Sequence, residues 1–455
     1  IRDRIKMAIF LEVILFLLGV SMFQISREKK LIIIFSSYML LNSVTISFIP
    51  FGNYRYFLCY CFLLSELPFI IRHFKQIKKA TVYPLMVMMT IATIILLINS
   101  PHYSSLSQMP RLMIFELVGK YFLILYAYLA VKDENTLKKI LKPTYVVLLL
   151  ATLCGVQNLI FGNSYFIQSI STMALTSDDA NLAARSSLDA VYADRLRINA
   201  TFFSSFNYGF ACIALLWFFA WAYMKEYLTR KRFGIVLICC LFGVFFSGSR
   251  TNYLSIFISV AIFFIVKFDV RKSVVYLVVS SSLLLIVAQF VPFLADKLNT
   301  MLTMFDQNTD YEGSSIDMRL LQYERCFYHI QDHMLFGRGK DFFLIDLGWA
   351  DKATKGLVDP DLWGAEGVFI NKLLESGIVG SILYIILCIS LVRIILKRKN
   401  IDRTSASVGL AVFSAYFAFA NMSGELETDF LTFLMLGMFL KLLDVRKILT
   451  MKQIS

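Results

Sequence analysis

Polar sequence is what this chain has least of. Two long polar segments, 162–200 and 292–366, interrupt a succession of apolar runs, and 58% of the 455 residues are hydrophobic. With a mean hydropathy of +0.67, an ordinary soluble protein is excluded. No cleavable leader is expected either: Met7 to Phe23 has no small-residue cleavage site and leads into another apolar run. No span-length repeat and no low-complexity tract is present. Seven of the eight cysteines, Cys59, Cys61, Cys154, Cys212, Cys239, Cys240 and Cys388, lie in apolar runs, where the thiol behaves as a small hydrophobe. Cys326 stands alone in the second polar segment, so no disulfide is expected. CxC at 59–61 has no partner pair, and His329 and His333 lack both the Glu and the third ligand of a zinc helix; no metal is expected. GRG at 337–339 is too short for a phosphate-binding loop, and no Ser-His-Asp set is visible.

What is present is helix-length hydrophobicity. Crossing the hydrocarbon takes about 20 apolar residues per helix, against about 10 alternating residues for a barrel strand. Thirteen candidate spans follow, near 7–24, 31–49, 55–71, 82–99, 112–131, 143–161, 201–224, 233–248, 251–266, 273–291, 367–392, 405–421 and 430–443. The expected fold is all-α, a polytopic helical membrane protein. The expected organisation is N-terminal spans over 1–161, a first extracytoplasmic segment 162–200, central spans 201–291, a large extracytoplasmic loop 292–366, and C-terminal spans with a cytoplasmic tail over 367–455.

The net charge of +13 suits the positive-inside rule better than nucleic acid. More than half of the 45 Lys and Arg fall in segments 27–30, 72–79, 132–142, 225–232, 267–272, 393–403 and the tail from Lys441. The turn at 422–429 has no basic residue and carries Glu425, Glu427 and Asp429. Alternation puts both long polar segments outside. It also puts the N-terminus outside, against Arg2, Arg4 and Lys6, so a missed or false span in the first hundred residues would fit better.

Ionisable groups at membrane depth are costly and therefore candidates for function. Glu116 and Lys120 are four apart and can satisfy each other; Glu12 and Glu66 lie near span ends, within reach of water. Trp217 and Trp221 read as interfacial belt residues. In the large loop, Asp317 to Gly339 reads as an amphipathic helix, with Ser314 and Asp317 as a capping box and Gly337 and Gly339 as the stop. Its polar face would show Arg319, Glu324, Arg325, Asp332 and His333.

Arg197, Arg250 and Arg319 come from three separate places on the outer side. Guanidinium matches phosphate oxygens in pairs, so together they could hold a lipid diphosphate; singly, each could pair with an acid or a lipid head group. Glu366, where the loop re-enters the membrane, could be a general base or an acid favoured by a helix N-terminus. Trp349, Trp363, Tyr311 and Tyr323 could stack on sugars or form a small loop core, the latter suiting the tyrosines better.

Four stretches resemble the O-antigen polymerase and ligase family of bacterial envelope glycosyltransferases. They are RINATFFSSFNYG (Arg197 to Gly209), FFSGSRT (Phe245 to Thr251), MRLLQYERCFYHIQDHMLFGRGKDFF (Met318 to Phe343) and EGVFINKLLESGIVG (Glu366 to Gly380). Two positions depart from the family pattern: Met334 stands where a Pro is expected, and Glu366 and Gly367 replace the His and Asn of the ligases. Since a ligase needs that His as base, the resemblance implies an O-antigen or capsular polysaccharide polymerase, a GT-C-like glycosyltransferase in the bacterial cytoplasmic membrane with its site facing outward. It implies Glu366 and Arg319 as catalytic residues, Arg197, Arg250 and Arg319 on the diphosphate, and Trp349, Trp363 and Arg338 as candidate sugar contacts. Partners would be undecaprenyl-diphosphate-linked glycans and membrane lipids, with room for a chain-length regulator protein. No nucleotide sugar, nucleic acid or cofactor is expected. The alternatives are a ligase passing glycan to lipid A or a protein, and a flippase of lipid-linked sugars; the flippase would want deep cavity charges and repeat symmetry.

Overall fold

The computed structural model describes residues 2–42, 44, 46, 54–98, 114–172, 197–202, 204–290, 295, 316–340, 342–348, 358–362, 367–425 and 428–454. Each of the thirteen apolar runs contains helix, with non-helical residues near some ends, and no strand occurs among the described residues. In chain order the main helices are α1 (Arg2–Val20), α2 (Arg27–Leu41), α3 (Tyr54–Arg72), α4 (Val82–Ile98), a π-helix (Ile114–Tyr121) leading into α5 (Leu123–Ala130), α6 (Glu134–Phe161) and α7 (Tyr165–Thr172). They continue with α8 (Ser205–Met224), α9 (Arg230–Phe246), α10 (Arg250–Lys267), α11 (Val270–Phe290), α12 (Ile316–Ile330), α13 (Val368–Lys397), α14 (Arg403–Ser423) and α15 (Thr428–Ile454). Among the described residues, α3, α6, α8, α10, α13 and α14 are long and apolar enough to cross a membrane; α1 and α4 supply shorter apolar stretches. The chain is an all-α, multi-pass membrane protein.

Polar residues mark where these helices start. Asp133, Thr229, Ser249 and Asp402 each accept a backbone N–H in the first turn of α6, α9, α10 and α14, replacing a bond that a helix N-terminus cannot make for itself.

α8, α14 and α15 form the centre. α14 packs on α8, α10, α13 and α15, while α15 also packs on α5. This position overturns one expectation: Trp217 and Trp221 are buried, donating from Nε1 to Ser259 Oγ at 2.9 Å and Ser405 Oγ at 3.0 Å. Apolar α8 is enclosed by other helices, so its indoles meet serines and not head groups. The periphery is aliphatic, with Ile9 and Phe10 of α1, Leu153 of α6, Ile238 of α9 and Val278 of α11 exposed, the surface a bilayer would cover.

The segments expected inside gather at one end. Lys225 pairs with Asp402 at 3.0 Å and Glu134 at 3.5 Å, and Arg446 pairs with both acids. Beside them Arg398 meets Asp444 at 2.9 Å. Glu66 departs from its expectation of reaching water: it is buried between Arg27 at 2.5 Å and Lys30 at 2.7 Å.

Candidate active site at the loop end of the bundle

Two of the expected runs are not continuous α-helix, and both irregularities lie at the end opposite the basic clusters. The run 112–131 opens as the π-helix, a form enriched at functional sites. The run 367–392 belongs to α13, which breaks at Gly377 (φ 64°, ψ −162°). A break orphans two carbonyls and two N–H groups. Here the large loop supplies all four partners. Arg338 N donates to Leu374 O (2.7 Å) and Gly339 N to Glu375 O (2.9 Å); Ile378 N donates to Met334 O (2.9 Å) and Val379 N to Leu335 O (3.0 Å). Only glycine permits the approach: a Cβ at Gly377 would lie 2.5 Å from Gly337 N, and one at Gly337 would lie 2.5 Å from Gly377 N. The stretches LFGRG and ESGIVG are thus two halves of one backbone joint.

That joint aims side chains. Lys340, just past it, bridges Glu375 at 3.0 Å and Glu116 of the π-helix at 3.2 Å. Glu116 and Lys120 stand 3.8 Å apart, but each has another partner. Lys120 pairs with Glu425 and lies 3.4 Å from Asp429, and Lys372 lies 3.9 Å from Glu425. The expected helix pair is one edge of a network of seven charged groups drawn from four parts of the chain. Burial disfavours the Lys340 ammonium, yet Glu116 and Glu375 outweigh that and raise its pKa above the usual lysine value. Burial also opposes ionisation of Glu425, but Lys120 and Lys372 hold its carboxyl below the usual range.

The loop has its own small core. Cys326, Ile330, Phe342, Phe343, Leu347 and Leu362 pack with Ile370 and Leu374 of α13. Tyr323 is exposed and stays outside this core, two helical turns before Ile330; Tyr311 and Ser314 lie outside the described residues. Arg325 and His329 both contact buried Asp359, at 3.0 Å and 2.6 Å. Burial pushes the Asp359 carboxyl up, and the His329 and Arg325 contacts more than reverse it, leaving it below the usual value. Arg338 Nε donates to His329 O at 2.8 Å, which makes this candidate sugar contact a brace of the joint.

Arg197 and Arg250 are brought to one turn. Ile198 N donates to Phe246 O at 2.9 Å, and the stem of Arg197 runs over Gly248, whose Cβ would lie 2.8 Å from Arg197 Cγ. Asn252 ties the same turn to α8 through Phe206 O and Ser247 Oγ, both at 3.2 Å. Arg197 Nε is buried without a hydrogen-bond partner among the described residues. Thr251, next to Arg250, shares a 2.6 Å hydrogen bond with Ser423 at the end of α14. Two residues earlier, Asn421 O lies 3.2 Å from where a Gly367 Cβ would sit. The entry to α13, the Arg250 turn and Arg197 therefore meet around the end of α14, with Glu425 just beyond.

Arg319 lies on α12, two turns before Cys326. Cys326 faces Ile370 O at 3.9 Å, and Arg338 links His329 to Leu374. The two helices run the same way, so Arg319 is displaced toward the Gly367 end. Glu366, Trp349 and Trp363 lie outside the described residues. Lys340, Lys372, Glu375, Glu425 and Asp429 were missed as site residues. Their signal was ionisable side chains in or beside apolar runs, which ion-pair only once the fold is known.

The O-antigen ligase family model matches residues 235–385. The match begins in α9, covers the Arg250 turn, α12 and the loop joint, and ends within α13. No curated protein matches the chain.

Proposed function

We propose, from the premise that residues 235–385 carry a domain of the O-antigen polymerase and ligase family, that this membrane protein is the polymerase type. It extends undecaprenyl-diphosphate-linked glycans by one repeat unit at the outer leaflet. Arg197 and Arg250, with Arg319 approaching from α12, hold the donor's diphosphate and stabilise the charge that grows on it as it leaves. Glu366 takes the proton of an acceptor-sugar hydroxyl. That oxygen bonds to the donor's anomeric carbon as the bond from this carbon to the diphosphate oxygen breaks. Undecaprenyl diphosphate departs, and the proton leaves with the buffer after turnover.

The observation that carries this reading is the meeting of Arg197, the Gly248–Arg250 turn and Gly367 around the end of α14. Arg197 Nε, buried without a hydrogen-bond partner among the described residues, suits binding of an anion. The choice of polymerase rests on Glu366 and Gly367 standing where the ligases carry His and Asn. Transfer of finished glycan to lipid A or a protein is the second reading, favoured by the description of the matching family. The test is purified protein in liposomes with lipid-linked repeat units alone and no energy source. Chain extension supports the polymerase. No extension until lipid A or a protein acceptor is added would replace it with the ligase.

A further inference from the structure

The loop joint uses the backbone of Met334 and Leu335 and leaves their side chains outside. Met334, Leu335 and Phe336 are 46%, 61% and 48% exposed. Just before them, α12 turns Cys326 and Ile330 into the loop's small core. Turned away from that core are Leu320, Phe327 and Tyr328, at i, i+7 and i+8 along one side of the helix. Phe327 and Tyr328 are 53% and 59% exposed, about as open as Ile389 on the flank of α13 at 60%. Large apolar side chains gathered on one surface mark a place that something covers.

Its position identifies the cover. Ile378 N and Val379 N donate to Met334 O and Leu335 O, so the turn 334–336 sits at the level of the Gly377 break. Ile378 opens a stripe on α13 that runs through Ile382, Ile385, Ile386 and Ile389, spaced i, i+4, i+7, i+8 and i+11. The last four are exposed and belong to the surface a bilayer would cover. The loop's exposed apolar turn therefore starts about one helical turn, roughly 5 Å, from the first of them. Length agrees with this. Ile378 to Lys397 is about 20 residues, or about 30 Å of helix, which matches the thickness of the hydrocarbon. With Arg393 and Lys397 exposed at the basic end, the joint falls at the opposite edge of the hydrocarbon. Beside it, Arg325 lies over the Tyr328 ring at 4.9 Å, and Asp332 and His333 are exposed. Aromatic and charged groups mixed in this way suit head-group depth.

We propose that this face of the large loop is a membrane-contact surface. Met334, Leu335 and Phe336 enter the acyl-chain edge of the leaflet nearest the loop, and Phe327 and Tyr328 lie among its head groups. The occupant is bilayer lipid because the face carries on from the lipid-facing stripe of α13. The loop is thereby held by its apolar rim as well as by the joint. That seating keeps Lys340 on Glu116 and Glu375 and keeps α12 against the start of α13. The inference rests on the chain spanning a membrane and not on the polymerase reading.

The test places single tryptophans in the full chain, purified and returned to phosphatidylcholine vesicles, and reads the emission added over that of the unmodified protein. The quenchers are phosphatidylcholine brominated near the glycerol end of its acyl chains, the same lipid brominated near the chain ends, and water-soluble acrylamide. Leu335→Trp and Phe336→Trp should lose their added emission to the shallow bromines and keep it in acrylamide. Ile386→Trp, about 12 Å further along α13 than Ile378, should lose it to the deep bromines. Asn400→Trp, exposed at the basic end, should lose it to acrylamide alone. Loss to the shallow bromines by either loop variant supports the proposal. If neither loses emission to them, the proposal is overturned, and loss to acrylamide instead would leave the face to a protein partner.

Discussion

Gly377→Ala is the sharpest test of the loop joint. At φ 64° and ψ −162° the backbone is in a region essentially reserved for glycine, and a Cβ there costs about 1–3 kcal/mol. The added carbon would also lie 2.5 Å from Gly337 N and 2.6 Å from Leu335 O. Backbone cannot swing aside as a side chain can, so the loop must retreat. Each of the four bridging hydrogen bonds is worth about 0.5–1.5 kcal/mol net. Losing two of them with the strain gives a destabilisation of about 4 kcal/mol. On the scale of soluble domains of 150–250 residues, that is a fall in Tm of roughly 10 °C. The assay is thermal unfolding of detergent-purified protein, with protease cleavage of the loop as a local readout. Gly234→Ala is the control, since a Cβ there meets nothing within 4 Å and should be neutral or stabilising by about 0.5–1 kcal/mol. Gly337→Ala should match Gly377→Ala, and the double variant should fall well short of the sum because both break one joint. A Gly377→Ala protein that melts with the unmodified one and resists protease equally would refute the joint.

Lys340→Met leaves the buried carboxylates of Glu116 and Glu375 without their bridge and should cost about 3 kcal/mol by the same melting assay; adding Glu116→Gln and Glu375→Gln should recover part of it. Arg197→Ala and Arg250→Ala should each leave the protein in the membrane and lower chain extension about 10²–10³-fold, the usual effect of removing a group that stabilises transition-state charge; long glycan chains at normal rates in both would remove the diphosphate assignment. Because the folded-state pKa of Asp359 is depressed, its clip to Arg325 and His329 contributes fully above the unfolded value of about 3.9 and is lost as pH falls through the lower folded value. Loop protection from protease should therefore fade below about pH 4, and Asp359→Asn should show that reduced protection already at pH 7.

Much of the candidate site was legible because its parts lie in short local patterns. Arg197, the SGSRT turn and the LFGRG and ESGIVG stretches each announce a turn or a helix end through Gly, Ser and Arg. Their meeting was not legible, since it depends on α8, α10, α13 and α14 sharing one end of the bundle. Trp217 and Trp221 show the same limit: an indole near a span end suits a head-group belt or a helix interior equally well, and only the central place of α8 decides between them.

The sequence by itself determined that the chain is a set of membrane-crossing helices, because about 20 apolar residues in a row have one low-energy fate in a bilayer. It also determined which ends are basic, and most of the irregular places between. Only the tertiary structure decided who neutralises whom. Lys120 reaches Glu425 across 305 positions, and Glu116 is held by a lysine delivered by the loop joint. Charge inside an apolar bundle must find a partner, but distance through space, which no linear pattern records, chooses it.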